Sequence, residues 1–209
     1  MTRPITVSCS IFLLLFSAFA HGAEKNYGRF SMGLTIPEAS YLTDPSFESE
    51  LLVKTKYMTG LSAAVAMGHE FEKLRIEGET SYQKNDFDTA TFSGTEVALD
   101  GEASVLTFLA NAYFDYKNRS DFTPYLGGGI GLSRIFVKNL LVPGAGIACW
   151  SDEDYVFTYQ LGIGVGYSPL DGVSIDLNYR YFVPSDPDFN TVQAEFSSHN
   201  IFLGLRVYF

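Results

Sequence analysis

The sequence predicts an all-β protein, an eight-stranded antiparallel up-and-down transmembrane β-barrel. Three observations predict it. After residue 23 no long unbroken apolar segment occurs, so a chain that enters a membrane must cross it as strands, because only helices and closed barrels satisfy every backbone polar group in lipid. Eight stretches alternate large apolar with small or polar residues at period two, most of them over the roughly 9–11 residues that a tilted transmembrane strand needs. The connections between them alternate between short and long.

The chain opens with Met1-Thr2-Arg3, an apolar run from Ile11 to Ala20 and small residues at Ala18, Ala20 and Ala23. A positive start, an apolar centre and an A-x-A-like end describe a secretory signal over 1–23, cleaved after Ala20 or Ala23. The run is short of the roughly 20 apolar residues of a spanning helix. The barrel domain is expected over 24–209. It keeps one cysteine, Cys149, which has no partner for an internal disulfide.

Successive side chains of a strand point to opposite faces. The first strand, 27–36, sets Phe30, Met32, Leu34 and Ile36 outside against Arg29, Ser31, Gly33 and Thr35. The second, 57–68, sets Tyr57, Leu61, Ala63, Val65 and Met67 outside against Gly60, Ser62 and Gly68. The third, 74–83, carries Arg75, Glu77, Glu79 and Ser81 on one face and has the weakest apolar face. The fourth, 103–116, sets Leu106, Phe108, Ala110, Ala112 and Phe114 against Thr107, Asn111, Tyr113 and Asp115. The fifth, 123–137, sets Leu126, Ile130 and Leu132 against Tyr125, Gly127, Gly129, Gly131 and Ser133. The sixth, 155–168, alternates Phe157, Tyr159, Leu161, Ile163, Val165 and Tyr167 with Thr158, Gln160, Gly162, Gly164 and Gly166. The seventh, 173–182, sets Val173, Ile175, Leu177, Tyr179 and Tyr181 against Ser174, Asp176, Asn178 and Arg180. The last, 197–209, sets Ile201, Leu203, Leu205, Val207 and Phe209 against Asn200, Phe202, Gly204, Arg206 and Tyr208.

Short turns fall at 69–73, 117–122 and 168–172, and long loops at 37–56, 84–102, 138–154 and 183–196, the layout of a transmembrane barrel with its long loops outside the cell. A soluble lipocalin-like barrel would turn its apolar face into a cavity and its charges outward. Here the arginines and glutamates in mid-strand oppose the apolar face. Without Arg3 the chain has 13 basic and 24 acidic residues, and the four loops carry −2, −4, −2 and −3, leaving a neutral wall. Acidic loops exclude nucleic acid as a partner, which asks for basic patches.

An eight-stranded interior is just wide enough for side chains to fill. The inward set holds Arg29, Arg75, Arg180 and Arg206 with Glu77, Glu79, Asp115 and Asp176, a lumen charge network of four residues of each sign. Paired charges would plug the lumen; the alternative is a narrow ion path. The glycines of 127–131 and 162–166 lack G-x-G-x-x-G spacing and lead into no helix, so they are no nucleotide loop. They are expected to make room for arginines and tyrosines from across the barrel. Glu195, Ser197 and His199 share a face at spacing two, as a nucleophile, base and carboxylate would. The simpler reading of His199 is an interfacial residue. No metal or cofactor site is predicted. In the third long loop Leu140, Leu141, Val142, Cys149 and Trp150 are apolar for an exterior segment. Either the flanking strands extend and pack them together, or they form a contact patch.

The segments Asn111-Ala112-Tyr113-Phe114-Asp115, Thr123-Pro124-Tyr125-Leu126-Gly127-Gly128-Gly129-Ile130-Gly131 and Gly204-Leu205-Arg206-Val207-Tyr208-Phe209 resemble the small eight-stranded outer-membrane barrel family, which includes opacity-type surface proteins and the barrel of outer-membrane protein A. The resemblance covers 27–209. A final strand ending on an aromatic, here Val207-Tyr208-Phe209, resembles the assembly signal read by the outer-membrane insertion machinery of Gram-negative bacteria. The resemblance implies outer-membrane lipid and that machinery as partners. It further implies a role as envelope structure, adhesin or surface antigen, with loops that contact a host surface or an envelope protein. Two other readings stand beside this non-enzymatic one: a narrow channel for ions or small apolar solutes, and a lipid-modifying enzyme.

Overall fold

The computed structural model describes residues 26–43, 53–92, 95–142, 147–185, 188–189, 192–194 and 196–209, with the backbone alone described at 41–43, 53, 92, 139–142, 147–152, 188–189 and 192–194. The expected signal segment and Glu195 lie outside the described residues. Every regular element among those described is a strand: β1 Asn26–Pro37, β2 Ser40–Thr43, β3 Val53–Tyr57, β4 Gly60–Phe71, β5 Leu74–Phe92, β6 Thr95–Ala98, β7 Asp100–Asp115, β8 Phe122–Val142, β9 Ile147–Leu170, β10 Val173–Pro184, β11 Asp188–Phe189, β12 Val192–Ala194 and β13 Ser198–Tyr208.

Eight of them close into an antiparallel barrel in the order β1-β4-β5-β7-β8-β9-β10-β13, with β13 returning to β1. The register places like residues side by side on the outer wall: Leu34 lies opposite both Leu61 and Ile201, and Leu203 lies between Met32 and Leu177. Pairing is what the alternation demands. A slip of one residue would turn every apolar side chain inward and every charge into lipid.

The two faces are opposite in character. Leu61, Leu126, Leu132, Ile163 and Leu203 stand 60–69% exposed on the outside, while Arg75, Glu77, Glu79 and Asp176 are 0–2% exposed within. A soluble barrel would reverse this, so the wall belongs in hydrocarbon.

Within the segments expected to be long loops, most of the described residues are strand. β5 runs 19 residues, β8 21 and β9 24, well beyond the roughly 9–11 of one crossing. Above the wall β2, β3, β6, β11 and β12 add to these extensions. The short turns are tighter than expected at two of three places, because β4 continues through Phe71 and β9 through Leu170. Gly172 takes the left-handed conformation (φ 77°) in the second of these turns, which glycine adopts without strain.

The expected second strand is two elements, and this corrects the placing of Tyr57. It ends β3, pairs with Phe87 of β5 and packs with Phe87 and Phe196 above the lumen, not against lipid. Around it lies an apolar cluster of Phe87, Ala103, Val105, Ile135, Val137, Val156 and Phe182. Strand extension thus carries β-branched and aromatic residues over the top of the lumen, beside the buried polar Asn85 and Thr55.

Arginine at a midplane lipid-facing position costs about 2–4 kcal/mol. Ile163→Arg is expected to destabilise refolding into phospholipid vesicles by that amount, measured by urea titration. His199→Arg, at the rim, is expected to change it by about 0–1 kcal/mol.

Candidate functional site

The eight lumen charges come from inward positions of five strands, β1, β5, β7, β10 and β13. β5 supplies Arg75, Glu77 and Glu79, because period two puts all three on one face. Glu79 is held by two arginines, Arg29 of β1 through Nη2 at 2.7 Å and Arg180 of β10 through Nη1 at 2.6 Å. Arg29 also reaches Glu77 Oε2 at 2.6 Å, and Tyr27 donates its hydroxyl to Glu77 Oε1 at 2.7 Å. Arg75 lies 3.5 Å from Glu77 through Nη1, and its Nε donates to Asp115 Oδ2 of β7 at 2.8 Å. These contacts join six charges in one chain: Arg180, Glu79, Arg29, Glu77, Arg75 and Asp115. The fourth arginine, Arg206 of β13, pairs separately with Asp176 of β10 at 2.7 Å. All eight sequence-predicted charges are thus in the lumen, three of each sign in one network and one pair beside it.

Aromatic rings fill the space between the charges. The Arg75 guanidinium lies 4.8 Å from the Tyr113 ring centre and 4.6 Å from that of Tyr125, and Arg206 lies 5.4 Å from Tyr27 and 5.5 Å from Tyr208. Such contacts are worth more where water is excluded. The lumen glycines accommodate these rings, but from the adjacent strand, not from across the barrel. Tyr113 pairs with Gly127, Tyr125 with Gly164 and Tyr27 with Gly68. A Cβ on Gly164 would sit 2.5 Å from Tyr125 Cζ, and one on Gly68 2.6 Å from Tyr27 Cζ. Each ring lies flat over a bare backbone.

Above the charges comes a layer of amides and hydroxyls. Gln160 donates to Asn111 at 2.8 Å, and Thr158 and Thr107 meet at Ser133, 2.6 and 2.9 Å away. Below them Tyr208 donates to Glu70 at 2.7 Å, and Lys117 pairs with the same carboxylate. The gap lined by Tyr113, Gly127, Gln160, Gly162 and Arg180 is too narrow for a water molecule.

At the outer rim Ser197 and His199 do come together, but around Glu38. The Ser197 hydroxyl donates to Glu38 Oε2, His199 Nε2 lies 3.0 Å from Oε1, and the Tyr179 hydroxyl lies 2.7 Å from His199 Nδ1. Hydrogen bonds from Ser197 and then His199 hold the Glu38 carboxyl below its ordinary value. A serine nucleophile needs its hydroxyl on the imidazole. Here it is spent on the carboxylate, so the trio ties the start of the 38–43 segment to the base of β13, helped by Glu38 N–H donating to Ser197 O at 2.9 Å.

In the proposed contact patch the backbone of Leu140 pairs with Trp150, so these residues extend β8 and β9; their side chains, with those of Leu141, Val142 and Cys149, lie outside the described residues. Val207 and Tyr208 end the last strand, and Phe209 N–H donates to Asn26 O at 2.8 Å. Sequence reading placed Tyr113 and Tyr125 inward but did not name Tyr27, although strand parity with Arg29 places it inward too. It also missed Glu38, because only hairpin register brings it to His199.

An apolar outer wall, a packed polar lumen and eight closed strands define an integral outer-membrane barrel. The chain belongs to the family described as outer membrane protein beta-barrel domain, whose model matches residues 10–208. Outer membrane protein PagN of Salmonella typhimurium is 29% identical over 141 residues, 61% of this chain and 58% of that protein. A candidate adhesin of Rickettsia prowazekii is 26% identical over 125 residues, 55% of each chain. The chain thus spans less than two thirds of the length of these relatives. The crystal structure of Neisserial surface protein A superposes with a TM-score of 0.57 at 20% identity, covering 88% of this chain and 97% of that one, which shows the shared fold.

Removing one member of a buried ion pair costs about 3–5 kcal/mol, against about 0–1 for an exposed pair. Glu79→Gln, which strips both Arg29 and Arg180, is expected to lower stability in vesicles by the larger amount. Glu102→Gln, paired with Lys84 outside, is expected to have the smaller effect.

Proposed function

We propose that the chain is a non-enzymatic surface barrel whose long-strand end projects from the cell and contacts partners, in the manner of an adhesin or surface antigen. The observation that carries this is the extension of β5, β8 and β9 far past the wall. At about 3.3 Å per residue, β9 alone provides roughly 80 Å of strand, against a hydrocarbon core of about 30 Å. Crossing the bilayer requires none of this projecting sheet. Its acidic residues, among them Asp152, Glu153 and Asp154, favour a partner with basic patches. The adhesin-type relative supports the same reading. The water-excluding gap among Tyr113, Gly127, Gln160, Gly162 and Arg180 weighs against the channel reading, and the Ser197 hydroxyl being engaged by Glu38 weighs against the enzyme reading.

The test is to replace 138–154 by a two-residue turn and express the shortened and full proteins on a non-adherent Gram-negative strain. Binding to epithelial cells is expected only with the full protein, both barrels being folded by gel mobility. Equal binding by the shortened barrel would refute the proposal.

A further inference from the structure

Three neighbouring strands are interrupted at one level above the wall. β1 stops at Pro37 and β2 starts at Ser40; β3 ends at Tyr57 and β4 starts at Gly60; β12 ends at Ala194 and β13 starts at Ser198. Below this level β13, β1 and β4 lie side by side, and above it β12, β2 and β3 do so in the same order. The breaks therefore form a line across the sheet, while β5, β8 and β9 pass the same level unbroken.

Side chains take over where the ladder stops. On one side is Glu38, whose N–H donates to Ser197 O at 2.9 Å. Its carboxylate accepts from the Ser197 hydroxyl, and lies 3.0 Å from His199 Nε2 and 3.4 Å from the Tyr181 hydroxyl. On the other side is Asn85 of β5, 3% exposed. Its Nδ2 donates to Thr35 O at 3.2 Å and to Met58 O at 3.0 Å, so one amide holds both the end of β1 and the gap before β4. Gly60, at that gap, lies flat against Lys84 and Asn85 with no room for a Cβ. From the same breaks Tyr57 and Phe196 reach onto the apolar cluster over the lumen.

We propose that this line is a hinge and that Glu38 and Asn85 are its two straps. They hold the β12-β2-β3 sheet at the tilt that keeps Tyr57 and Phe196 over the lumen, and their release uncovers the apolar cluster. Hinges are a few residues at the ends of elements that absorb a backbone change, and the breaks supply them on β12, β2 and β3. β3 stays paired to β5 from Lys54 to Tyr57, so the sheet tilts without leaving the barrel. A charged carboxylate accepts stronger hydrogen bonds than a neutral group, which makes Glu38 the strap that acid releases. Ser197, His199 and Tyr181 face this carboxylate, with Tyr179 behind the imidazole. Hydrogen bonds from Ser197 and then His199 hold it below the ordinary glutamate value of about 4.3. The strap is complete above that ordinary value and is lost as pH falls through the lower folded one.

The test uses the full barrel purified from outer membranes, in vesicles, with Cys149→Ser and a reporter thiol from Val105→Cys, a cluster position 2% exposed. Its reaction with dithiodipyridine, which attacks thiols in acid as well as at neutral pH, is timed relative to the exposed thiol of Asp100→Cys. At about pH 7 the reporter is expected to react slowly, and roughly tenfold faster in Glu38→Gln, in Asn85→Ala, or in the parent barrel at about pH 3. Glu38→Gln, already uncharged, is expected to gain nothing further from acid. Glu102→Gln, whose ion pair with Lys84 lies off the break line, is expected to match the parent. Backbone amides of β1 and β13 are expected to stay protected from hydrogen exchange in Glu38→Gln, which a general loosening of the barrel would not allow. If Asn85→Ala fails to fold, Glu38→Gln and the acid response decide. An unchanged reporter in Glu38→Gln, an equal acid response in parent and Glu38→Gln, or loss of wall protection together with the cluster would overturn the proposal. No adhesion partner enters the assay, so its result is independent of the adhesion experiment.

Discussion

Everything in this barrel depends on keeping eight charges out of lipid and out of water at once. A buried ion pair is weak evidence for stability, since desolvation costs about as much as the attraction returns. Its consequence for register is stronger. Shifting β5 by one residue would place Arg75, Glu77 and Glu79 in hydrocarbon, at about 2–4 kcal/mol for an arginine near the midplane. It would also break pairs to β1, β7 and β10. The network acts as a lock on strand alignment, and the apolar wall alone would fix only its parity.

The remaining lumen follows from that lock. Arginines must be held where water does not reach, so tyrosines fill the intervening space and glycines on the neighbouring strand leave room for their rings. Hydroxyls and amides cover the top of the charged layer, and the cluster of Phe87, Val105, Ile135, Val156 and Phe182 closes above them. With the interior occupied, the proposed partner contacts fall to the rim and the projecting strands, where the acidic residues lie.

Strand parity made the wall, the order of the strands and the eight lumen charges legible in the sequence, because an unbroken apolar face opposite arginine and glutamate is what a barrel wall in lipid requires. The partner of each charge was not legible. That Glu79 bridges Arg29 and Arg180 depends on strand stagger and barrel closure, which no local pattern encodes. The segments 84–102 and 138–154 read as loops because their alternation is interrupted by charge and glycine; most of their described residues are instead strand through cross-strand pairing. Tyr57 misled for a related reason: its parity fits the wall of β4, yet the chain breaks before Gly60 and turns the ring over the lumen. The contact of Glu38 with Ser197 and His199 joins residues about 160 apart and had no sequence signal.

The central claim is that ion pairs and an apolar cap seal the lumen. Single-channel recording in planar bilayers tests it most directly. The wild-type barrel is expected to show no steady open current at either polarity. A stable, long-lived open state carrying ions through the unmodified barrel would contradict the sealed lumen and with it the account of the charge network.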